Sequence, residues 1–263
     1  MFFVNVRIQK MDGDSTFTLA YKLFSCLLQF LILLFFFSSY FKINLTDRIS
    51  TTSAIQLTPN DVSALMRLGV PSNEIFESVK FFTNDFDTKT QGVDLVVNYN
   101  FALADWSNSL LLAFNWTDTQ VERVTLYPAQ VGDEIRLLPN LTQARIRMLE
   151  DNLPAHRGSI TLEQSKGNWA FTWRLNYYGE FYEDHLDASA GMDIYGNALT
   201  TFDAQVAWKV LPQTQVTLGA QNLFDSLPNE NPFQGEVGAL YPPTSPSGIN
   251  GAFYYAGIEY TFN

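Results

Sequence analysis

Four residues close together in the sequence carry side chains that could bind a divalent cation. They are Glu183, Asp184, His185 and Asp187. Carboxylate oxygens and one imidazole nitrogen are ligands that divalent metals accept in proteins. The spacing fits no established ligand motif, and the only other histidine of the chain lies well upstream. The sequence therefore favours a solvated acidic loop over a metal site.

A second group contains the residue types of a hydrolase triad. Asp151, His156 and Ser159 follow one another within a short stretch. A triad also needs a nucleophile elbow and an oxyanion hole, and neither is recognisable here. No glycine-rich phosphate-binding loop occurs either. We therefore predict that the protein is not an enzyme and that it holds no cofactor.

Three charged residues interrupt segments rich in aromatic residues: Arg174, Asp203 and Lys209. Side chains alternate between the two faces of a strand, so Arg174 lies on the face opposite Trp173 and Leu175. That face must contact water or polar groups, and we expect Arg174 to pair with an acid such as Asp203 on a neighbouring strand. The three residues are predicted to line a water-exposed surface. The alternative prediction is that they contact a ligand on its path through the protein.

The last segment of the chain, Ala252–Phe262, alternates most clearly. One side carries Tyr254, Ala256, Ile258, Tyr260 and Phe262. The opposite side is mixed and includes the carboxylate of Glu259. An apolar side with aromatic ends is typical of a strand in a membrane barrel. An edge strand of a soluble sandwich alternates in the same manner, so this segment alone leaves both folds open.

The same alternation predicts about eight strands from Tyr40 onward. Their predicted bounds are Tyr40–Ile49, Gln91–Phe101, Leu110–Asp118, Ser159–Gln164, Trp169–Tyr178, Phe202–Val210, Val216–Ala220 and Ala252–Phe262. In the first strand, the pattern places Phe41, Ile43 and Leu45 on the apolar side.

The connections between these strands alternate between short and long. The long ones are Ser50–Thr90, Thr119–His156, Glu180–Asn197 and Gln221–Gly251. The first is predicted to contain a helix over Thr58–Leu68, and the second a strand around Ala144–Leu149. Tight turns at one end and long loops at the other are typical of outer-membrane barrels, whereas sandwiches do not follow this rule. We therefore predict an all-β fold, an antiparallel transmembrane β-barrel wall with long extracellular loops.

Composition agrees with a barrel. Hydrophobic residues make up 46% of the 263 residues, and the mean hydropathy of -0.04 is too low for a bundle of membrane helices. Aromatic residues make up 15%, which fits girdles of aromatic side chains at the membrane interfaces. The net charge of -11 excludes nucleic acid as a partner. The single cysteine, Cys26, excludes an internal disulfide.

Residues 1–39 differ from the rest of the chain and are predicted to be a separate segment. Basic residues precede the apolar run Leu23–Phe37, which favours a secretory signal or a short membrane anchor. The run is shorter than the ~20 residues that a spanning helix needs. A third interpretation is an unrelated sequence joined to a truncated reading frame. Residues 40–263 form the predicted barrel part.

Several motifs from Tyr40 onward resemble the C-terminal part of the TonB-dependent outer-membrane receptors. The matching stretches are Phe81–Leu95, Asn152–Ser159, Leu218–Asp225 and Ser245–Tyr255, followed by the aromatic terminal strand. Together they cover most of the chain after residue 40 in the order that the family has. Their combination is specific, although no single motif is.

The resemblance implies a receptor in the outer membrane of a Gram-negative bacterium that takes up scarce small ligands such as iron chelates. In this family a roughly 22-stranded barrel encloses a plug, and the TonB system powers transport. The resemblance also implies that Tyr260 and Phe262 form the terminal signal for the barrel-assembly machinery. The chain ends on Asn263 rather than on the aromatic residue itself, which departs from the common pattern.

The strand number departs further from the family, and no coupling box or plug is recognisable. Two open edges in lipid would each leave about five unpaired backbone groups, a cost on the order of 30 kcal/mol. That exceeds the ~5–15 kcal/mol stability of a typical domain. The chain is therefore either the C-terminal fragment of a receptor, incapable of transport alone, or a complete eight-stranded barrel with a structural or adhesive role. The motifs favour the fragment. The sequence does not identify the ligand.

Overall fold

The centre of the fold is a single antiparallel sheet of 8 strands in which every strand pairs with its neighbours along the chain. The computed structural model describes residues 34–51, 55–69, 78–80, 82–131, 134–184 and 191–262. The strands of the sheet are β1 (Leu34–Thr51), β4 (Phe82–Leu103), β5 (Trp106–Val124), β8 (His156–Lys166), β9 (Trp169–Tyr178), β12 (Leu199–Leu211), β13 (Thr214–Gln221) and β14 (Phe253–Tyr260). β1 and β14 are the two edges of the sheet, which is open. The predicted all-β, antiparallel fold is confirmed.

The sheet has two faces of different character because its strands alternate in register. One face is here called the aromatic face. The pairing register places Leu95, Phe114, Trp173 and Ile258, which belong to different strands, on this face. The other, the polar face, carries residues such as Asp94, Thr161, Arg174, Asp203 and Gln205.

The height of the aromatic face fits a membrane. In β4 it is apolar from Val93 to Leu103, which rises roughly 25 Å if the strand is tilted by ~40°. Beyond Val93 the same face carries Gln91 and Lys89. The apolar band is therefore about as tall as the hydrocarbon-facing band of a membrane barrel.

The connections between the strands lie at two opposite edges of the sheet. Two-residue turns at Ala104, Gly167 and Pro212 join β4 to β5, β8 to β9 and β12 to β13 at the short-turn edge. The four long connections leave from the opposite, long-loop edge. This alternation was predicted from the sequence, although β1 and β4 extend further than expected, so that their connection spans only residues 52–81.

The long connections hold the remaining elements. A helix, α1 (Pro59–Arg67), begins where it was predicted, because Thr58 and Asp61 cap each other's backbone N–H groups. A second helix, α2 (Gln143–Glu150), replaces the strand predicted around Ala144–Leu149, so that prediction is wrong. Short hairpins are formed by β2 (Ile55–Gln56) with β3 (Ser78–Val79), β6 (Leu126–Val131) with β7 (Glu134–Pro139) and β10 (Phe181–Glu183) with β11 (Ile194–Gly196), and a single turn, α3 (Gln234–Val237), lies in the last connection. In the described part of the chain, none of the helices has the length and apolar character needed to cross a membrane.

The predicted orientation of β1 is wrong. Phe41, Ile43 and Leu45 pair with Gly92, Thr90 and Thr88, and they lie on the polar face rather than on the aromatic one. The residues of β1 that share the aromatic face include Phe36 and Tyr40. The alternation within β1 gave the wrong face because Lys42 and Asn44, which are polar, lie on the aromatic face. They are tolerated there since they lie beyond the end of the apolar band.

β1 also reaches into the predicted N-terminal segment. It begins at Leu34, so the last residues of the apolar run Leu23–Phe37 belong to the sheet. Residues 1–33 lie outside the described residues. The division of the chain at residue 39, and the nature of the segment before it, stay predictions.

Candidate functional site

The polar face carries a row of hydrogen bonds across neighbouring strands. Arg174 Nε donates to Thr161 Oγ1 at 3.1 Å. Asn176 Nδ2 donates to Asp203 Oδ2 at 3.0 Å, and the backbone N–H of Asn222 donates to Asp203 Oδ1 at 2.9 Å. The row supports the prediction that polar groups line this side of the sheet.

The predicted ion pair between Arg174 and Asp203 is not formed, although the two residues face each other in the register of β9 and β12. Both carboxylate oxygens of Asp203 already accept hydrogen bonds from Asn176 and Asn222. Lys209 lies on the same face six residues further along β12, which is ~20 Å in an extended strand. The structure thus brings Arg174 and Asp203 together and leaves Lys209 apart, exposed near the short-turn edge.

The long-loop edge holds a second cluster, built by α2 and the hairpin β10–β11, here called the outer hairpin. The guanidinium of Arg147 lies 4.7 Å from the ring centre of Tyr182 and 5.3 Å from that of Tyr195. Its Nη1 donates to the Tyr195 hydroxyl at 2.7 Å. This hydrogen bond raises the pKa of Arg147 further above its usual range. The guanidinium therefore remains charged and fastens the helix to the hairpin.

Tyr182 is held by a second set of contacts. Its hydroxyl donates a hydrogen bond to the carboxylate of Asp193. Burial raises the pKa of Tyr182 well above its ordinary value of 10.0, and the hydrogen bond to Asp193 raises it further. The neutral phenol is therefore the form that the outer hairpin requires.

Glu183 and Asp184 are buried, with 7% and 6% of their surfaces exposed. The prediction of a solvated loop is therefore wrong for these two residues. Glu183 Oε2 accepts hydrogen bonds from the backbone N–H, at 2.9 Å, and the hydroxyl of Thr244. It thereby joins the outer hairpin to the last long connection. His185 and Asp187 lie outside the described residues.

In the described part of the chain, no three His, Cys, Asp or Glu residues come together as potential metal ligands; the interpretation of the full cluster stays a prediction. Asp184 Oδ1 is buried without a hydrogen-bond partner among the described residues. The outer hairpin is held by hydrogen bonds and aromatic contacts with Arg147.

An open pocket of about 410 Å³ lies between α2 and the outer hairpin. Its lining includes Arg147, Glu150, Asp151, Glu180 and Tyr195. The acidic side chains outnumber the basic ones, so the pocket suits a hydrated or cationic group better than a bare anion.

Asp151, His156 and Ser159, which have the residue types of a hydrolase triad, do not come together in the structure. His156 lies on the aromatic face, where its ring stacks on Phe114 at 6.1 Å. Ser159 pairs with Asn176 on the polar face. Asp151 ends α2 outside the sheet. The side chains of His156 and Ser159 thus point to opposite sides of β8.

Sequence reasoning missed Arg147 and its two tyrosines. A signal for α2 was present: Thr142 is a good N-cap, and its hydroxyl accepts from the backbone N–H of Arg145 at 3.2 Å. The run of strong helix formers after Thr142 also favours a helix over a strand. The meeting of Arg147 with Tyr195 has no comparable local signal, because the two residues come from different connections.

The aromatic residues at the C-terminus lie at the short-turn edge. Tyr260 ends β14, and its ring contacts that of Phe262 edge to face at 4.7 Å. Both side chains are exposed, Phe262 to 86%.

Comparisons with known proteins agree on the fold. The family model described as "TonB dependent receptor-like, beta-barrel" matches residues 16–223, more than half of the chain. No curated protein sequence matches.

Two solved structures superpose with a TM-score of 0.50. The ferric-catecholate import receptor Fiu from Escherichia coli K12 is 11% identical, over 87% of this chain and 25% of that one. The pyoverdine receptor FpvA from Pseudomonas aeruginosa PAO1 is also 11% identical, over 88% of this chain and 27% of that one. The copper transporter OprC is 15% identical with a TM-score of 0.48, over 87% and 30%. At these identities the likeness shows the fold alone, and the chain spans less than a third of each of these structures.

Proposed function

Because the chain belongs to the TonB-dependent receptor β-barrel family, we propose that it forms a sector of the wall of an outer-membrane receptor for a scarce small ligand. The observation that carries the proposal is the two-faced sheet, with an apolar band roughly 25 Å tall on one face and a row of hydrogen-bonded polar residues on the other. The aromatic face contacts outer-membrane lipid, and the polar face turns towards the lumen. The long-loop edge is extracellular, and the short-turn edge is periplasmic.

The ligand belongs to the class of iron chelates, including iron–siderophore complexes. Support comes from the names of the superposed receptors, Fiu for a ferric catecholate and FpvA for pyoverdine. In this chain, the pocket beside Arg147 and the polar residues Arg174, Asp203 and Lys209 are the groups placed to contact a passing ligand. The function is reception and transport rather than catalysis.

Energised uptake requires more than this sector. In the described residues, β1 and β14 each lack a partner on their outer side, and unpaired backbone groups are costly in lipid. We expect the missing strands and a plug to come from further polypeptide, and the TonB system to act only when that plug is present. The alternative, an eight-stranded barrel with a structural role, requires β1 to pair with β14.

The experiment tests whether the chain enters the outer membrane. All five tryptophans lie on the aromatic face, so their fluorescence reports on that face alone. We expect the expressed chain in the outer-membrane fraction, with tryptophan emission quenched by phospholipids brominated on their acyl chains. A soluble chain whose emission such lipids leave unchanged would contradict the proposal.

Heat-modifiable migration in gel electrophoresis separates the two architectures. A closed eight-stranded barrel folded in detergent resists unfolding at room temperature and shifts on boiling. We expect no such shift for the chain alone, because the open edges of its sheet leave it sensitive to the denaturing detergent of the gel at room temperature. A shift would replace the receptor sector with the small barrel while leaving the membrane location intact.

A further inference from the structure

Near the short-turn edge, the aromatic face forms an open pocket of about 540 Å³. Its lining residues are Trp106, Lys166, Gly167, Asn168, Trp169 and Trp208. The turn between β8 and β9 forms its floor, where the backbone N–H of Lys209 donates to the Asn168 carbonyl oxygen at 2.9 Å. The pocket is therefore built on paired strands rather than on a long connection.

Stacked indole rings form the walls of this pocket. Trp169 and Trp208 lie 5.2 Å apart at an angle of 5°. Trp106 packs against Phe171, which in turn stacks on Trp169. Such a wall offers flat apolar surface to an acyl chain that enters from the hydrocarbon side.

The pocket also offers hydrogen-bond donors. Among the described residues, the indole N–H groups of Trp106, Trp169 and Trp208 have no acceptor, whereas that of Trp173 donates to Gln164. Indole rings favour the boundary between hydrocarbon and water, where the ring is apolar and the N–H meets a polar group. Three free donors beside one pocket suit an acceptor-rich ligand such as a phosphate or an ester.

Lys166, which lines the pocket, pairs with an acidic residue next to it. Lys166 Nζ is 5.8 Å from the ring centre of Trp106 and 3.3 Å from Asp105 Oδ2. The Asp105 side chain is exposed and that of Lys166 is half-exposed, and an ion pair of this kind contributes little by itself. A ligand that carries both a negative and a positive group can therefore replace the pair without leaving either charge alone.

We propose that this pocket, here called the Trp–Lys pocket, binds the headgroup of a phospholipid that carries phosphoethanolamine. The phosphate accepts hydrogen bonds from the Lys166 ammonium and from the free indole N–H groups. The primary ammonium of the headgroup donates to the Asp105 carboxylate, while the acyl chains lie along the tryptophan rings. A choline headgroup has no N–H to donate to Asp105, and a glycerol headgroup has no positive charge, so both fit less well.

The inference rests on the proposed function, because it requires the aromatic face to lie in a membrane. The test uses the full chain folded in detergent micelles doped with lipid that is brominated near the ester end of its acyl chains. Ethanolamine, choline and glycerol lipids of equal chain length are titrated, and tryptophan quenching is measured. We expect half of the quenching at a roughly fivefold lower mole fraction of the ethanolamine lipid, since one charge-assisted hydrogen bond distinguishes it from choline.

The double variant Lys166→Gln with Asp105→Asn removes both charges without changing the net charge. We expect it to erase the preference, so that quenching by the ethanolamine lipid falls to the level of the choline lipid, which itself loses only the contact between Lys166 and the phosphate. The matched control is Lys89→Gln with Glu122→Gln, which removes a partly exposed ion pair of 3.7 Å at the other edge and should keep the preference. Circular dichroism checks that both variants retain their strand content.

Each outcome has one meaning. Equal quenching by the three lipids overturns the headgroup site and leaves the aromatic face as a membrane surface. A preference for the glycerol lipid overturns it as well, since Lys166 would then act as an anion site alone. No quenching by any lipid contradicts the proposed function itself.

Discussion

Phe41 of β1 lies over Gly92 of β4 on the polar face, where the two residues are direct partners in the register. A Cβ atom added to Gly92 would lie 2.4 Å from Phe41 Cζ and 2.5 Å from the backbone oxygen of Trp116. Tyr255 and Gly219 repeat the arrangement near the other edge of the sheet. Aromatic rings placed over glycines on a neighbouring strand are a recognised means of fixing strand register.

Gly92→Ala should destabilise the sheet because the Trp116 oxygen belongs to the backbone and cannot move aside. Overpacking of this kind costs about 1–3 kcal/mol in the free energy of unfolding. Urea unfolding of the full chain in detergent, followed by tryptophan fluorescence, measures the change.

Gly257→Ala is the matched control, since a Cβ at Gly257 meets nothing within 4 Å. It should leave the unfolding midpoint within experimental error of the parent. If both variants unfold together with the parent chain, the strands on either side of Gly92 do not pack as described.

Gly219→Ala separates a rigid neighbour from a movable one. A Cβ there would lie 2.3 Å from Tyr255 Cζ, but this ring can rotate once its hydroxyl releases Gln205 Oε1, to which it donates at 2.7 Å. We expect a smaller loss than for Gly92→Ala, of about 1 kcal/mol, which is the usual worth of one hydrogen bond. Tyr255→Phe should cost a similar amount in the same unfolding measurement. A loss from Gly219→Ala as large as that from Gly92→Ala would show that the ring cannot yield.

Most strands of the sheet were predictable because polar residues recur on one face opposite apolar residues on the other, as Asp94, Asn98 and Asn100 do in β4. Trp169–Tyr178 was predicted with its observed bounds. The orientation of β1 was not predictable, since Phe41 and Ile43 alternate as cleanly on the polar face as they would on the other. Only pairing with Gly92 and Thr90 decides which face they take.

The candidate site was harder to predict from the sequence than the fold. The acidic residues of the outer hairpin were recognised, but their burial was not, because Glu183 is covered by Thr244, 61 residues away in the sequence. Contacts between separate long connections leave no periodic signal in either segment.

Arg147→Ala should release the outer hairpin from α2. The variant loses the hydrogen bond to Tyr195 and the contact with both tyrosine rings. We expect faster cleavage by chymotrypsin at Tyr182 and Tyr195, with an unchanged sheet by circular dichroism. Arg147→Lys is the control for charge, and it should protect only partly, because an ammonium group lacks the planar surface that stacks on aromatic rings. Equal cleavage of all three proteins would contradict the role of Arg147.

The outer hairpin should weaken in alkaline solution. The folded state holds the Tyr182 proton more tightly than the unfolded chain, because the pKa of Tyr182 is raised by burial and by Asp193. The stability that protonated Tyr182 gives to the folded hairpin is therefore complete below the ordinary pKa of 10.0, and it is lost as the pH rises beyond that value. Phenolate absorbance, followed in the folded chain and in urea, should show a delay of ionisation on folding that Tyr182→Phe reduces by one tyrosine. A delay that is the same in the parent and in the variant would assign it to other tyrosines.

Removal of the terminal ring should reduce assembly into the outer membrane. Phe262 is exposed beyond the end of β14 and contacts only Tyr260 among the aromatic side chains of the described chain, so its deletion costs little internal packing. If the terminal aromatic residues are what the barrel-assembly machinery reads, Phe262→Ala should lower the amount of chain in the outer-membrane fraction several-fold while its folding in detergent stays the same. Leu211→Ala removes another exposed apolar side chain at the same edge, 58% exposed, and serves as the control. The prediction is contradicted if the Phe262→Ala protein reaches the membrane in the same amount as the Leu211→Ala protein. The assembly machinery would then not recognise the Phe262 ring, and the aromatic end of β14 would serve only as an interfacial anchor.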